Sequence, residues 1–232
     1  MTVPVRSPRF ADGREAADLA AFLGRLLHYD RAAAVRLQAG GGALAVFGRP
    51  PSFEVLAIRT VRLAGVHDFD VTVSAGELLE ALDTDAGDEE AGVSALPAPV
   101  TGPPWAGMLP PRGGWQERPG LPGAVDLRNE LADAVAEFRA RDAALPEDRR
   151  NRAERDLIGR DIWSRTVGDT DLPLRAVHAA QSLGFLRPAP GFPVALLAAG
   201  SWLRLRTPFG SIALRGAGGS GLGSLAVTVG TA

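Results

Sequence analysis

A chain of 232 residues, 46% hydrophobic and 22% charged, is long enough to bury a substantial core as one large domain or two small ones. It has no cysteine and no lysine, and all 25 of its basic side chains are arginine. Disulfide staples, thiolate metal sites, cysteine nucleophiles, a P-loop lysine and a Schiff-base lysine are therefore excluded together. The arginine, alanine, glycine and proline bias points to a GC-rich, actinobacterium-like genome. No apolar run reaches the length of a membrane helix, and Met1 to Arg14 has no apolar stretch after its arginines, so neither a spanning segment nor a signal peptide is expected and the compartment reads as cytoplasmic.

The net charge of −2 hides a segregation along the chain. Residues 1–64 hold nine arginines against five acids, and residues 65–100 hold nine acids and no arginine. The two signs nearly balance over 101–171, and from Leu172 onward there are five arginines and no acid. Such an arrangement can shape the field around a protein, although an acidic stretch is more often just a solvated loop.

Asp12 three residues before Glu15, followed by Ala16, Leu19, Leu23 and Leu26, is a capping box feeding an amphipathic helix that should end near His28 to Asp30. Strand-like runs come next at Ala33 to Ala39, Ala43 to Phe47, Phe53 to Leu63 and Phe69 to Val73. The glycines at 40–42 and the Arg49-Pro50-Pro51 joint suggest an antiparallel meander. Ser74 and Glu77 open a second capping box and a short helix to Leu82. The acidic patch from Asp83 to Glu90 and eight prolines from Pro97 to Pro122 read as a long loop or linker, of which at least one of Trp105 and Trp115 should dock onto the body of the protein. Leu127, Leu131, Val135 and Phe138 mark one helix. Leu157, Ile158 and Ile162 mark another, with Pro146 at its start, and a third runs from about Asp171 to a stop at Gly184. The chain closes with strand-like runs at Val194 to Ala198, Trp202 to Thr207, Ser211 to Arg215 and Leu225 to Val229.

The last of these elements echo the first. Leu23-Gly24-Arg25-Leu26 matches Leu183-Gly184-Phe185-Leu186, and Val35 to Gly41 matches Val194 to Gly200. Phe53 with Ala57-Ile58-Arg59 matches Phe209 with Ala213-Leu214-Arg215, and Val71-Thr72-Val73 matches Val227-Thr228-Val229. The expected fold class is α+β: two pseudo-repeated helix-plus-antiparallel-meander units with a helical insertion between them. The units are an N-terminal one over 12–82, a loop or linker over 83–123, the insertion over 124–166 and a C-terminal one over 171–230. Such an assembly resembles processivity clamps and some secretion-adaptor proteins only at the level of shape, which does not license a function.

No motif assigns chemistry. Gly216 to Gly221 fits the dinucleotide spacing, but the residues after Gly221 read as a strand where a helix is needed. His28, His67 and His178 lack metal-ligand spacing, and Asp83, Asp85, Asp88, Glu89 and Glu90 lack the ligand pattern of a calcium loop, so no cofactor and no metal is expected. Trp202, Arg204 and Arg206 alternate with leucines and share one strand face, the composition of an interaction hot spot. The sequence therefore suggests a non-catalytic protein-binding adaptor, regulator or assembly component. Trp202, Arg204, Arg206, Trp105 and Trp115 are its candidate contacts, and another protein or a second copy is its partner. The alternative is a nucleic-acid-binding regulator with a winged-helix-like C-terminal half using Arg175, Arg187, Arg204 and Arg206. An enzyme of unassigned chemistry ranks third.

Overall fold

The computed structural model describes residues 8–83 and 92–216. Helix α1 spans Gly13–Tyr29; Asp12 caps it by accepting from the Glu15 amide at 3.1 Å, as the capping box predicts. Strands β1 (Ala34–Gly48) and β2 (Leu56–Ser74) come next, then α2 (Ala75–Glu80), with Ser74 Oγ accepting from the Glu77 amide. Strands β3 (Leu82–Asp83) and β4 (Gly92–Val93) form a two-stranded ribbon. Strand β5 (Gln116–Arg118) precedes the helices α3 (Ala124–Ala143), α4 (Arg152–Trp163) and α5 (Leu174–Ser182). Strands β6 (Ala195–Ala199), β7 (Trp202–Thr207) and β8 (Gly210–Arg215) complete the described chain.

The fold is α+β, with two similar halves, each a helix followed by antiparallel strands, and a helical segment between them. One six-stranded antiparallel sheet in the order β1-β2-β8-β7-β6-β5 runs through both halves. The halves meet where β2 pairs with β8, through Leu56↔Ala213, Ala57↔Ile212 and Ile58↔Ser211. The helices cover one face. There α1 buries Leu19, Phe22, Leu23 and Leu26, and α5 buries Val177 and Ala180, against Val35, Val61, Leu205 and Ile212. Removing that much apolar surface from water is what stabilises the layer, at roughly 25 cal/mol per Å².

Three details differ from the sequence reading. The glycines at 40–42 do not reverse the chain, because β1 continues through them to Gly48 and β2 pairs with it along its length. The register changes between Gly41↔His67 and Ala43↔Arg62, so Leu63 to Val66 bulge opposite Gly42 and the long hairpin bends there. Gly41 has φ +62°, and such a conformation serves a bulge as well as a turn, so the meander expected from Ala33 to Val73 is two bent strands. The residue matches at the closing strands are not structural equivalents either. Ala57 faces the helices while Ala213 faces away, and the junction sets Leu56, not Ala57, opposite Ala213. Finally, Leu157 on α4 is exposed, and α4 starts at Arg152 under an Asn151 cap rather than at Pro146, which precedes a separate turn of 3₁₀ helix at Glu147–Arg149. The expected strand at Leu225 to Val229, the glycines beyond Gly216 and the acidic residues from Asp85 to Glu90 lie outside the described residues.

A buried cation fastens the halves. Arg59 on β2 is held by Glu15 and Asp18 of α1 at 3.4 and 3.1 Å, and it donates to the Phe209 carbonyl in the turn before β8 at 2.7 Å. Arg187 joins the same cluster, with its guanidinium 3.4 Å from the Phe209 ring centroid and 3.9 Å from Asp18. In the helical segment, Arg141 and Arg165 both bridge Glu137 of α3 to Asp161 of α4.

Candidate functional site: the open face of the sheet

The sheet face opposite the helices has its own small apolar cluster. Alternation along β2 sends Ala57 and Val61 into the main core and turns Leu56 and Ile58 the other way, where they meet Phe47 and Ala213. Along β7 the same alternation buries Leu205 and turns Trp202, Arg204 and Arg206 outward, as the leucine–arginine spacing predicts. Cross-strand pairing sets Arg204 beside Ala213, Arg206 beside Ser211 and Trp202 beside Arg215, whose guanidinium lies 5.5 Å from the Trp202 ring.

The proline-rich segment crosses this face. It leaves the β1–β2 edge where the Val100 amide donates to the Thr72 carbonyl at 2.9 Å, and makes a 3₁₀ turn at Pro104–Gly107. Trp105 and Leu109 then pack onto the apolar cluster, and Arg36, itself paired with Asp70 at 2.6 Å, donates to the Ala106 carbonyl. Trp115 bonds back to the Pro111 carbonyl at 3.0 Å and lies 5.6 Å from the Arg204 guanidinium; Gln116–Arg118 then joins the far edge as β5 beside β6. Proline lacks an amide donor, which suits a strap over a sheet and not a strand within one.

Strap and sheet enclose a cleft of about 410 Å³. Ala45, Phe47 and Ile58 form its floor, Pro110 and Pro111 one wall, and Arg112 and Arg204 its charged margin. Its lining includes no carboxylate and no imidazole. Arg204 is half-buried, and burial, followed by the nearby charge of Arg206, lowers its pKa from the usual guanidinium range. Its Nε is buried without a hydrogen-bond partner, and among the described residues no acid lies within ion-pair distance of it. A desolvated guanidinium with no counter-charge is costly, and a carboxylate supplied from outside would satisfy it.

Trp105, Trp115, Trp202, Arg204 and Arg206 are thus gathered on one face from two distant stretches of sequence. The four arginines of the nucleic-acid alternative are not gathered. Arg175 sits on α5 and Arg187 just beyond it, on the helix side, whereas Arg204 and Arg206 point from the opposite face of the sheet. The hairpin of β6 and β7 is interior to the six-stranded sheet and does not project as a wing. The sequence reading does not find the cleft floor, Phe47 and Ile58, or the counter-wall at Pro110 and Pro111; only the strict period of two in β2 hints at a second buried side.

Residues 3–107 match a family model described as a domain of unknown function (DUF8010), and residues 110–219 match another described as a domain of unknown function (DUF8185). No curated protein matches the chain. Among solved structures, a crystal structure of the DNA polymerase sliding clamp from Pseudomonas aeruginosa with ligand is 17% identical at a TM-score of 0.43, covering 88% of this chain and 63% of that one. A second structure of that sliding clamp is 16% identical at a TM-score of 0.46, covering 92% and 65%. The DNA polymerase III subunit beta from the same organism is 15% identical at a TM-score of 0.47, covering 88% and 64%. The chain therefore spans less than two thirds of the length of these structures, and the likeness is one of chain arrangement, which says nothing of what this chain binds.

Proposed function

We propose that this protein is a non-catalytic binding module, an adaptor, regulator or assembly component, that recognises another protein through the cleft under its strap. The occupant is an extended partner segment that places an apolar side chain on Phe47 and Ile58 and a carboxylate against Arg204. The observation that carries this reading is Arg204 itself, half-buried beside Trp115 with Nε unpaired and no acid in reach among the described residues. Trp202, Arg206 and Arg215 extend the same cationic and aromatic surface past the cleft, and Trp and Arg are the residues that most often anchor interfaces. A guanidinium also prefers a planar carboxylate over a point charge, which gives orientation as well as attraction.

The test is a randomised peptide array probed with the whole chain, with Arg204→Ala and Trp202→Ala variants alongside. The reading expects enrichment of peptides that pair an aspartate or glutamate with a neighbouring apolar residue, and loss of that enrichment in Arg204→Ala. Enrichment independent of acidic residues, or unchanged in the Arg204 variant, contradicts it. Fluorescence anisotropy with duplex DNA at physiological salt provides the contrasting arm, where arginines divided between two faces should give no salt-steep binding.

A further inference from the structure

A second, larger cavity lies on the helix side of the molecule and shares no lining residue with the cleft under the strap. It holds about 980 Å³ between the β1–β2 turn and the helices α4 and α5. One wall is a continuous aromatic chain. Tyr29 meets Phe53 edge-on at 5.4 Å between centroids, Phe53 meets His178 edge-on at 5.0 Å, His178 lies tilted on Trp163 at 4.6 Å, and Trp163 stacks with Phe138 at 6.2 Å. Burial lowers the His178 pKa, so near neutral pH this ring is an uncharged aromatic surface.

The rim is basic, and its charges are unequally satisfied. Arg155 is neutralised from outside the cavity by Asp142 at 2.7 Å, and Arg152 lies 3.8 Å from Asp156. Arg160 and Arg175 have no carboxylate within ion-pair distance among the described residues, and the Nε of Arg175 is buried with no hydrogen-bond partner. Glu54 at the lip is the remaining acid of the lining; its backbone has φ +53°, a left-handed conformation that non-glycine residues rarely adopt. A concave aromatic wall beside convergent charged groups is a common form of small-molecule site.

We infer that this cavity binds a small planar aromatic acid, with its ring on the Trp163–His178 wall and its anionic group at Arg175 and Arg160. The shared chemistry is a flat ring carrying a carboxylate or a phosphate; the aromatic wall supplies stacking and the guanidinium groups supply the charge-assisted hydrogen bonds.

Titration calorimetry on the whole chain tests this with four probes: indole-3-acetate, adenosine monophosphate, neutral indole and inorganic phosphate. Binding of either ring acid at least tenfold tighter than both indole and phosphate is expected, and which ring acid prevails distinguishes an aromatic carboxylate from a nucleotide. Arg175→Met should weaken the preferred acid at least tenfold. Arg160→Met, at an exposed position on α4, should weaken it severalfold, whereas Arg204→Ala should leave it unchanged. Failure of every ring acid to bind at millimolar concentration, equal binding of neutral indole, or indifference to both arginine substitutions overturns the inference. None of these outcomes bears on the cleft under the strap, so the two sites stand or fall separately.

Discussion

Replacing Arg59 by methionine should loosen the junction between the two halves. The side chain is 7% exposed, so its charge is tolerable only because Glu15, Asp18 and the Phe209 carbonyl surround it. Removing one partner of a buried charge cluster costs about 3–5 kcal/mol in general. Two features place this case at the lower end. Glu15 keeps Arg62 at 2.9 Å, and Asp18 is about one third exposed and keeps the more distant Arg187. The Phe209 carbonyl loses its donor, which adds about 1 kcal/mol. The expected loss is therefore about 4 kcal/mol, equivalent to a fall of roughly 8–16 °C in Tm for a chain of this size. Urea denaturation read by circular dichroism measures it directly. Adding Asp18→Asn to the Arg59→Met background should recover part of the loss, because it removes the carboxylate left without its main partner. A single variant within about 1 kcal/mol of the parent, or a double variant less stable than the single, would show that Arg59 does not bind the halves together.

Local chemistry yields two further outcomes. Burial holds the folded pKa of His178 below its ordinary value of 6.5, so the unfolded chain takes up the proton first and stability falls as pH drops below about 6.5 toward the folded value; His178→Phe should flatten that part of a pH–stability curve, and an unchanged slope between pH 7 and 5 would refute it. Gly168 has φ +54° and a Cβ there would lie 2.6 Å from the Gly120 carbonyl oxygen, beside the Asp169 amide that donates to the same carbonyl at 3.2 Å; Gly168→Ala should cost about 1–3 kcal/mol and speed amide exchange over 116–123, where unchanged exchange would mean the strap is anchored elsewhere.

Much of this architecture is legible in sequence because it rests on local rules. Asp12 and Glu15, Ser74 and Glu77, and Gly184 at φ +77° mark helix ends through bonds spanning a few residues, and the alternation in Trp202 to Thr207 fixes which side chains share a face. What local rules cannot separate is a glycine bulge from a glycine turn, so Gly41 reads as the joint of two short strands where there is one long one. Residue identities between the termini likewise suggest the right order of elements with the wrong pairing of faces, since a shift of one position exchanges the sides of a strand. The strap is recognisable as proline-rich and its tryptophans as needing a surface, yet its path depends on Arg36 and Thr72, far away in the chain. Arg59 reads as an ordinary strand arginine until Glu15 and Phe209 are brought to it, and the aromatic cavity draws on Phe53, Trp163 and His178 with no spacing that a motif could record.

In the proposed function, Arg204 is the cation that a partner's acid would satisfy. Its most direct test is a charge-swap cycle by calorimetry, using the best acidic peptide from the array and the same peptide with its acid changed to arginine, each against the parent and Arg204→Glu. Loss of affinity of at least tenfold in each single swap, with recovery of most of it when both are swapped, is the predicted result. Equal affinity of the parent for both peptides, or a double swap no tighter than either single one, would contradict the assignment.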